Sequence, residues 1–356
     1  MIGATSEKAQ LADHRRARGT ARTGQFSPSR SQSPRVDHTK ASNSITTHTT
    51  EAEASAWDSL VESVPYSDVA QLSKWAHVRA AAGYSPAYLF LREGERIIAG
   101  AQLLRYKIPL LGWIYYLSGG PLVDPSCRDR EAVIRQLSDS LQGLLENHCR
   151  MLFIQPHFGE FGLADQLIDR GFRPSKVNVA PAASLRIDLA RDVQDIHAGM
   201  KRKWSRRWPT CGVTVRTGGT ADIPRLARLI AKSAAFQNYQ PLSEEYIEHL
   251  YETLAPSGHA VLFVGDLAGE PVAATLYTRR GGVLRARLTG LDRDTDALKL
   301  NVPSAIAWHA IHWAREQGLR WYDFSGIKAE TAEALLAGQS LDQQGAGGCD
   351  FFKISF

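Results

Sequence analysis

The sequence has only four cysteines among its 356 residues, and none of them belongs to a C-x-x-C pair. Such scattered cysteines indicate neither a zinc site nor a disulfide framework. They are typical of reduced thiols, and we therefore predict a cytoplasmic protein. No apolar stretch approaches the roughly 20 residues that cross a bilayer, so we expect no integral membrane segment.

The sequence also lacks the short motifs of several common enzyme classes. It contains no nicotinamide-binding fingerprint, no Walker loop and no Ser-His-Asp order. His309 and His312 lie one helical turn apart, but the nearby sequence offers no third ligand to complete a metal site. The pair is therefore not predicted to bind a metal.

Positive charge is concentrated at the N-terminus. Residues 1–40 have five more Lys and Arg than Asp and Glu, which equals the net charge of +5 of the whole chain. The first 50 residues hold almost no large apolar side chains, so burial cannot offset their chain entropy. We predict a disordered basic tail over residues 1–50. Its arginines would either attract nucleic-acid phosphates or be simply solvated.

The rest of the chain repeats one α/β pattern. Residues 51–190 predict helices, a strand hairpin, a strand, a long helix and a further strand, and residues 191–356 predict the same order. The hairpin sequences LREGERIIAGAQLL and VGDLAGEPVAATLY occupy the same place in each half. We interpret the repeat as a duplicated α/β unit, with one domain over residues 51–190 and a second over residues 191–356.

Six segments carry a resemblance to a known family. In chain order they read WAHVRAAAG, YYLSGGPLVD, MKRKWSRRWPTCGVTVRTGGTADIPRL, GEPVAATLY, PSAIAWHAIHWAREQGLRWYDFSGI and FFKISF. Together they span about residues 57–356, over which the sequence resembles the Fem family of aminoacyl-tRNA-dependent transferases, which build the cross-bridges of bacterial peptidoglycan.

The resemblance implies a fold and an activity. The fold is two tandem acetyltransferase-like (GNAT-like) domains. The activity is transfer of an amino acid from aminoacyl-tRNA to an acceptor amine, either on a peptidoglycan precursor or on an amine-bearing natural-product intermediate. No cofactor or metal is implied, because the amino acid arrives already activated on its tRNA.

Lys353 and Asp124 are the predicted catalytic residues. Attack of an amine on an ester needs a donor that stabilises the developing oxyanion, and lysine is a compact charged donor. The resemblance assigns this role to a Phe-Lys pair on a late strand, which Phe352 and Lys353 match. A lysine facing water at the end of an edge strand is the alternative. Asp124 matches a family aspartate that contacts the acceptor near its amine, and it would otherwise be a turn or cap residue.

Five residues are predicted to bind the acceptor or its phosphates, and Phe352 of the Phe-Lys pair is one of them. Gly120 lies in SGGP, where glycine lets the backbone approach a ligand closely. Arg79 matches a basic family position for the acceptor phosphates, and a solvated helix arginine is the alternative. Arg206 and Arg207 lie in KRKWSRRW, whose cations and indoles suit a phosphorylated ligand or a nucleic-acid end, unless the segment is a solvated basic turn.

The sequence departs from the family at three places. Its basic segment is about three residues shorter than usual and is broken by Pro209, so the sequence does not settle which arginine inherits the phosphate contact. Arg285 and Arg287 replace tyrosines that face the ligand, which predicts either a more anionic ligand or arginines that face outward. The family continues beyond its Phe-Lys strand, whereas this sequence stops at Phe356, so we expect the final strand to be absent.

Two other functions fit the sequence. An acyl-CoA-dependent N-acetyltransferase would hold pyrophosphate on the amides of an R/Q-x-x-G-x-G/A motif, and RTGGTA fits the letters with Arg216, Gly219 and Ala221. That motif, however, lies at the start of the second repeat, where the fold would not place the cofactor. The other possibility is a degenerate family member that binds tRNA or a precursor without catalysis.

Overall fold

Two six-stranded sheets dominate the computed structural model, which describes residues 42–147, 149–175, 181, 183–200, 208–341 and 347–356. Each sheet mixes parallel and antiparallel pairs and is covered by helices. This architecture confirms the predicted duplicated α/β fold. Residues 1–41, which include most of the predicted tail, lie outside the described residues.

The first sheet has the strand order β1-β2-β3-β4-β6, and β5 pairs with β3. Its strands are β1 (Ser42–Thr46), β2 (Ser85–Glu93), β3 (Arg96–Ile108), β4 (Gly112–Ser118), β5 (Leu122–Val123) and β6 (Met151–Gln155). Its helices are α1 (Glu51–Ser63), α2 (Ser73–Ala80), α3 (Arg130–Asn147) and α4 (Phe161–Asp169). β4 and β6 run parallel because α3 crosses over between them.

The second sheet has the strand order β7-β12-β11-β10-β9-β8. Its strands are β7 (Ala183–Asp188), β8 (Val213–Gly218), β9 (Ala260–Leu267), β10 (Glu270–Arg280), β11 (Val283–Leu291) and β12 (Trp321–Ile327). The helices of this half are α5 (Val193–Gly199), α6 (Ile223–Gln237), α7 (Glu244–Leu254), α8 (Val302–Glu316), α9 (Ala329–Leu336) and α10 (Gly348–Lys353).

The helix α8 forms the crossover between the parallel strands β11 and β12. Ala305, Ile306, Ala310 and Ile311 recur at helical spacing and are all buried in the core of the second sheet. Burying these side chains fixes α8 against the sheet and so determines how β11 and β12 lie relative to each other.

The parallel strands β11 and β12 separate soon after they begin. They pair only from Val283–Arg285 to Trp321–Asp323. Beyond Asp323, β12 stays paired with β7 through an irregularity between Asp323 and Gly326, where Ser325 adopts a φ of 68°. A bulge of this kind bends a strand and redirects its side chains. The second sheet therefore opens at this end of β12.

The two halves are joined by direct contacts. The side chain of Val78 on α2 is buried among apolar residues of the second sheet and its helices. The amide of Tyr66 donates to the carbonyl of Gly281 at 2.9 Å, and Arg280 donates to the carbonyl of Val61 at 2.8 Å. The interface therefore combines apolar packing with hydrogen bonds between the domains.

Three predictions of local structure are wrong. Residues 42–46 of the predicted tail form β1, which covers the edge of β2 that would otherwise lie unpaired. The strand β7, predicted to end the first domain, pairs with β12 and so belongs to the second sheet. Phe352 and Lys353 lie in helix α10, not in a strand.

The physical reason for the helix α10 is an anchor that strand composition does not reveal. The buried carboxylate of Asp350 accepts hydrogen bonds from the amide of Lys328 at 3.0 Å and from the hydroxyl of Thr331 at 2.8 Å. These bonds fix the first turn of α10 against the start of α9.

Candidate functional site

Lys353 reaches the end of β12 from the last residue of α10. Its ammonium donates a hydrogen bond to the main-chain carbonyl of Gly326. The rings of Phe352 and Phe356 pack against Phe324 of β12, with centroid distances of 6.1 and 5.0 Å. Although it belongs to a helix, the predicted Phe-Lys pair is therefore fixed to the bulged end of this strand.

The environment of Lys353 disfavours its charge. Burial lowers the pKa of the Lys353 ammonium below its ordinary value, and the negative charges of Asp350 and Asp323 oppose this effect only partly. An ammonium has three donors. Within the described ranges, the Gly326 carbonyl accepts from one of them, so Lys353 has donors to offer an incoming oxygen.

A chain of five charged side chains, which we call the interdomain charge cluster, lies beside the same bulge. Its members are Asp68, Arg186, Arg285, Arg287 and Asp323. The fully buried carboxylate of Asp323 accepts from the Nε atoms of Arg186 at 3.0 Å and of Arg285 at 3.1 Å. Its other oxygen accepts from the amide of Ser325 at 2.7 Å, which holds the bulge.

Asp68 joins this cluster from the first domain. Its carboxylate accepts from Arg285 and, at 2.7 Å, from Arg287. Burial alone would raise the pKa of Asp68, but the charges of Arg287 and Arg285 outweigh burial and hold it well below its ordinary value. Arg285 and Arg287 therefore do not simply face outward, because carboxylates of the cluster pair with both. The cluster has three arginines and two aspartates, and the more anionic ligand stays a prediction.

The glycines of SGGP lie close to protein atoms of the first domain. Gly119 has a φ of 68°, and a Cβ atom there would lie 3.0 Å from the Cβ atom of Asp68. A Cβ atom on Gly120 would meet the side chain of Gln71 at 3.0 Å. The amides of both glycines donate to the carbonyl of Gln155, at 2.9 and 3.3 Å. The close approach at these glycines therefore serves packing within the first domain, and the predicted ligand contact of Gly120 stays a prediction.

The ends of the two sheets meet at what we call the strand-end junction, formed by Gly119, Gln155, Pro181, Gly326 and Lys353. The side chain of Gln155, at the end of β6, donates to the carbonyl of Pro181 at 3.4 Å. The ring of Pro181 packs so closely on Gly326 that a Cβ atom there would overlap it. Lys353 therefore lies where the parallel strands of both domains end.

Arg79 bridges the two domains. Its guanidinium donates to the hydroxyl of Tyr246 at 2.9 Å and lies 4.4 Å from the ring centre of Tyr84. It is therefore not a solvated helix arginine. Its predicted phosphate contact stays a prediction.

The ring of Tyr84 belongs to an aromatic surface that the sequence did not predict. We call this surface the aromatic shelf, and it comprises Tyr84, Tyr106, Tyr116 and Phe153. Ring centroids lie 5.3 Å apart for Tyr84 and Tyr106 and 5.9 Å apart for Tyr84 and Tyr116, and Tyr116 stacks on Phe153 at 5.5 Å. Tyr116 of β4 and Phe153 of β6 are paired in register, and no local pattern in the sequence reveals that pairing, because both strands are runs of consecutive large residues.

Asp124 is held at the end of β5 by neighbours in the first domain. One of its oxygens accepts from the amide and the hydroxyl of Ser126, at 2.8 and 2.7 Å, and Oδ2 accepts from Arg96 at 2.5 Å. Burial alone would raise the pKa of Asp124, but the hydrogen bonds from Ser126 and Arg96 outweigh it and lower the pKa. Asp124 is therefore an ionised acceptor, and in the described part of the chain it shares no contact with Lys353.

The predicted residues Arg206 and Arg207 lie outside the described residues. The neighbouring Trp208 is buried, and its indole donates to the carbonyl of Leu300 at 3.1 Å. Among the residues that the structure covers, no three His, Cys, Asp or Glu side chains converge as metal ligands. In the same residues, every helix is too short or too polar to span a bilayer.

A groove of about 500 Å³ opens between α2, β2 and the end of α7, with Ser73, His77, Pro86 and Thr253 in its lining. It contains none of the predicted site residues. We therefore base the candidate site on the strand-end junction, where the lysine and the strand ends converge.

Comparison with known proteins bears on the fold and on the sequence relatives of the chain. A family model described as an acetyltransferase (GNAT) domain matches residues 198–332. The chain is 26% identical over 235 residues to the lipid II:glycine glycyltransferase of Staphylococcus saprophyticus, which covers 62% of this chain and 56% of that protein. It is 25% identical over 225 residues to the protein of the same name from Staphylococcus aureus, covering 59% and 53%. The chain thus matches little more than half the length of these relatives.

Two solved structures share the fold. The crystal structure of FemX superimposes with a TM-score of 0.68 at 17% identity, covering 88% of this chain and 94% of that one. The C-terminal domain of a putative lysylphosphatidylglycerol synthetase from Agrobacterium fabrum does so with a TM-score of 0.51 at 14% identity, covering 86% and 89%. In its tandem GNAT-like fold the chain is similar to FemX, and in sequence it is similar to the lipid II:glycine glycyltransferases.

Proposed function

We propose that the protein is an aminoacyltransferase that moves an amino acid from aminoacyl-tRNA to an acceptor amine and forms an amide bond. The observation that carries the proposal is the ammonium of Lys353 held at the strand-end junction. Relatives named lipid II:glycine glycyltransferase support an acceptor amine on a peptidoglycan precursor over one on a natural-product intermediate. A cytoplasmic reaction follows, because charged tRNA is found there.

The proposed chemistry is an attack of the neutral acceptor amine on the ester carbonyl of aminoacyl-tRNA. A new C–N bond forms, and the carbonyl oxygen becomes an oxyanion that Lys353 stabilises. The ester C–O bond then breaks, and the terminal ribose hydroxyl leaves with the proton lost by the amine. The activated ester supplies the driving force, so the proposal needs no cofactor.

Asp124 is proposed to orient the acceptor amine through Oδ2. Among the described residues, the Oδ2 atom is hydrogen-bonded only to Arg96. The side chain of Arg96 is 62% exposed and can therefore move aside for the acceptor amine. Arg79, Arg206 and Arg207 are proposed to bind acceptor or tRNA phosphates, and Phe352 to hold Lys353 in place.

We expect Asp124→Asn to lower kcat for transfer by about 100-fold. The asparagine side chain is uncharged, so it can neither attract nor take up the proton of the acceptor amine as the carboxylate does. Steady-state kinetics with a water-soluble peptidoglycan precursor as acceptor would measure the change in kcat. Arg96→Ala is the matched control, since it frees the same carboxylate without removing it, and should keep most of the rate. Equal losses in both variants would instead indicate that the pair only stabilises the turn.

The acetyl-CoA alternative finds little support at its motif. The carboxylate of Asp222 accepts from the amide of Gly219 at 3.0 Å and from two nitrogens of Arg216, at 2.7 and 3.0 Å. A pyrophosphate on these amides would have to displace that carboxylate. The motif also begins within β8, an edge strand of its sheet.

A transfer assay tests the proposal. The purified protein is incubated with tRNAs charged with labelled amino acids and with a peptidoglycan precursor, with and without ribonuclease, and a parallel reaction contains labelled acetyl-CoA. We expect label on the acceptor that ribonuclease abolishes. Label from acetyl-CoA alone would overturn the proposal, and binding of precursor without transfer from either donor would favour a non-catalytic member.

A further inference from the structure

The tip of the hairpin between β3 and β4 exposes two consecutive leucines. Leu110 is fully exposed and Leu111 is 60% exposed. The amide of Leu111 donates to the carbonyl of Pro109 at 2.8 Å, and Leu110 adopts a φ of 67°. Asparagine or glycine suits this backbone better than leucine. Neither the backbone conformation of the turn nor burial therefore explains why leucine occurs at position 110.

An aromatic and cationic collar surrounds this tip. The guanidinium of Arg105 lies 4.6 Å from the ring centre of Trp113, and the ammonium of Lys107 lies 5.9 Å from it. The amide of Arg150, at the start of β6, donates to the carbonyl of Trp113 at 2.9 Å, which adds a third cationic residue. Tyr106, which is 40% exposed, lies between Arg105 and Lys107 in β3 and faces the opposite side of the hairpin.

The collar lacks opposing charge within its own hairpin. No Asp or Glu occurs between Arg96 and Asp124, a stretch that covers nearly all of β3 and the whole of β4. The tip thus presents apolar side chains at its point and uncompensated positive charge behind them.

We infer that this hairpin tip docks the protein on an anionic bilayer surface. Leucines that protrude from a turn can enter the boundary between headgroups and acyl chains. Tryptophan and tyrosine favour that boundary, and Lys and Arg are attracted to anionic headgroups. Scattered exposed leucines are ordinary on protein surfaces, but two adjacent leucines within a cationic aromatic collar match a charged interface.

The distance between the hairpin tip and the strand-end junction fits a protein that docks on the bilayer through this tip. The strand β4 runs from the tip at Gly112 to Ser118 beside the strand-end junction, a span of about 20 Å at roughly 3.3 Å per residue. The aromatic shelf lies along this path. Resting on the proposed function, an acceptor anchored in the bilayer would extend along the shelf to Lys353.

Vesicle co-sedimentation of the full chain tests the docking surface directly. The probes are vesicles of phosphatidylcholine with and without phosphatidylglycerol, at about 0.15 M and 0.5 M salt, because the Debye length shortens as salt rises and screens purely electrostatic adsorption by the basic N-terminal residues. The double variant Leu110→Asn/Leu111→Ser is compared with Leu298→Ser, which removes another exposed leucine, 52% exposed, from a site far along the chain.

We expect the wild type and Leu298→Ser to bind vesicles that contain phosphatidylglycerol. The double variant should bind about tenfold more weakly, with the difference persisting at high salt because apolar insertion is not screened. All three proteins should show the same thermal midpoint. Equal binding by the double variant, or failure of the wild type to bind, would overturn the inference.

Two further readouts separate this inference from related ones. Concentration-dependent dimerisation that the double variant abolishes, without vesicle binding, would assign the tip to a second copy of the chain and overturn the inference. The double variant should also keep full transfer to a water-soluble acceptor. If the wild type binds vesicles but transfers nothing, the proposed function fails while the docking surface stands.

Discussion

Replacing Lys353 with alanine is expected to lower kcat for aminoacyl transfer by about 100- to 1000-fold, the loss typical of removing one oxyanion donor. The fold should tolerate the change. The described contacts of the Lys353 ammonium are one hydrogen bond to the Gly326 carbonyl and nearby carboxylate charge, and burial already disfavours the ion. Single-turnover kinetics with preloaded aminoacyl-tRNA would isolate the chemical step from binding.

The pH profile supplies the control for this residue. Because burial lowers the pKa of Lys353, the ammonium is lost as pH rises through a value below 10.5, and the rate should fall over that alkaline range. Lys353→Arg keeps a positive charge at all these pH values, so its residual activity should lack this decline. Wild-type rates in Lys353→Ala, with normal ligand binding, would remove Lys353 from the mechanism.

Replacing Asp68 with alanine should cost about 3–5 kcal/mol of unfolding free energy, since it leaves the half-buried Arg287 without a carboxylate partner and Arg285 with Asp323 alone. Urea unfolding at neutral pH would measure this loss. The double variant with Arg287→Ala should lose less than the sum of the two single variants, because each variant removes the same interaction.

The pH dependence of this stability follows from the lowered pKa of Asp68. The folded pKa is depressed, so the stabilisation is present above the unfolded value, near 3.8, and disappears as pH falls toward the folded pKa. The wild type should therefore lose its advantage over Asp68→Ala in acid. Asp294→Ala is the matched control, because it breaks an exposed ion pair with Lys232 and should leave stability unchanged. If Asp68→Ala changed the unfolding free energy as little as Asp294→Ala, that result would contradict a stabilising role for the interdomain charge cluster.

Local periodicity predicted most of the fold correctly. The hairpins and the long helices α3, α6 and α8 were predicted because alternating and helical apolar patterns extend over whole elements. The segment FFKISF was misassigned because a run of six apolar-rich residues fits a strand as well as a helix. The deciding contact, from Asp350 to Lys328 and Thr331, depends on residues about 20 positions away.

The candidate site was predictable only in part. The family segments predicted Lys353 on a strand, whereas it lies in α10 and reaches the end of β12 only through its side chain. The interdomain charge cluster had no local signal, because Asp68 and Arg285 are 217 residues apart in sequence. The glycine pair correctly indicated a close approach of the backbone, but glycine does not specify what approaches. Here the neighbours are Asp68 and Gln71 of the same chain.

The contact from Asp68 through Arg285 to Asp323 also limits how the molecule can admit its substrates. A hinge motion between the halves would separate Asp68 from Arg285 and would expose Val78 and its apolar neighbours to solvent. We therefore expect the halves to move as one rigid body, so that Lys353 keeps its position relative to the first domain. If the proposed transfer occurs, discrimination between amino acids then has to come from side chains already in place, not from closure of the two halves around the correct one.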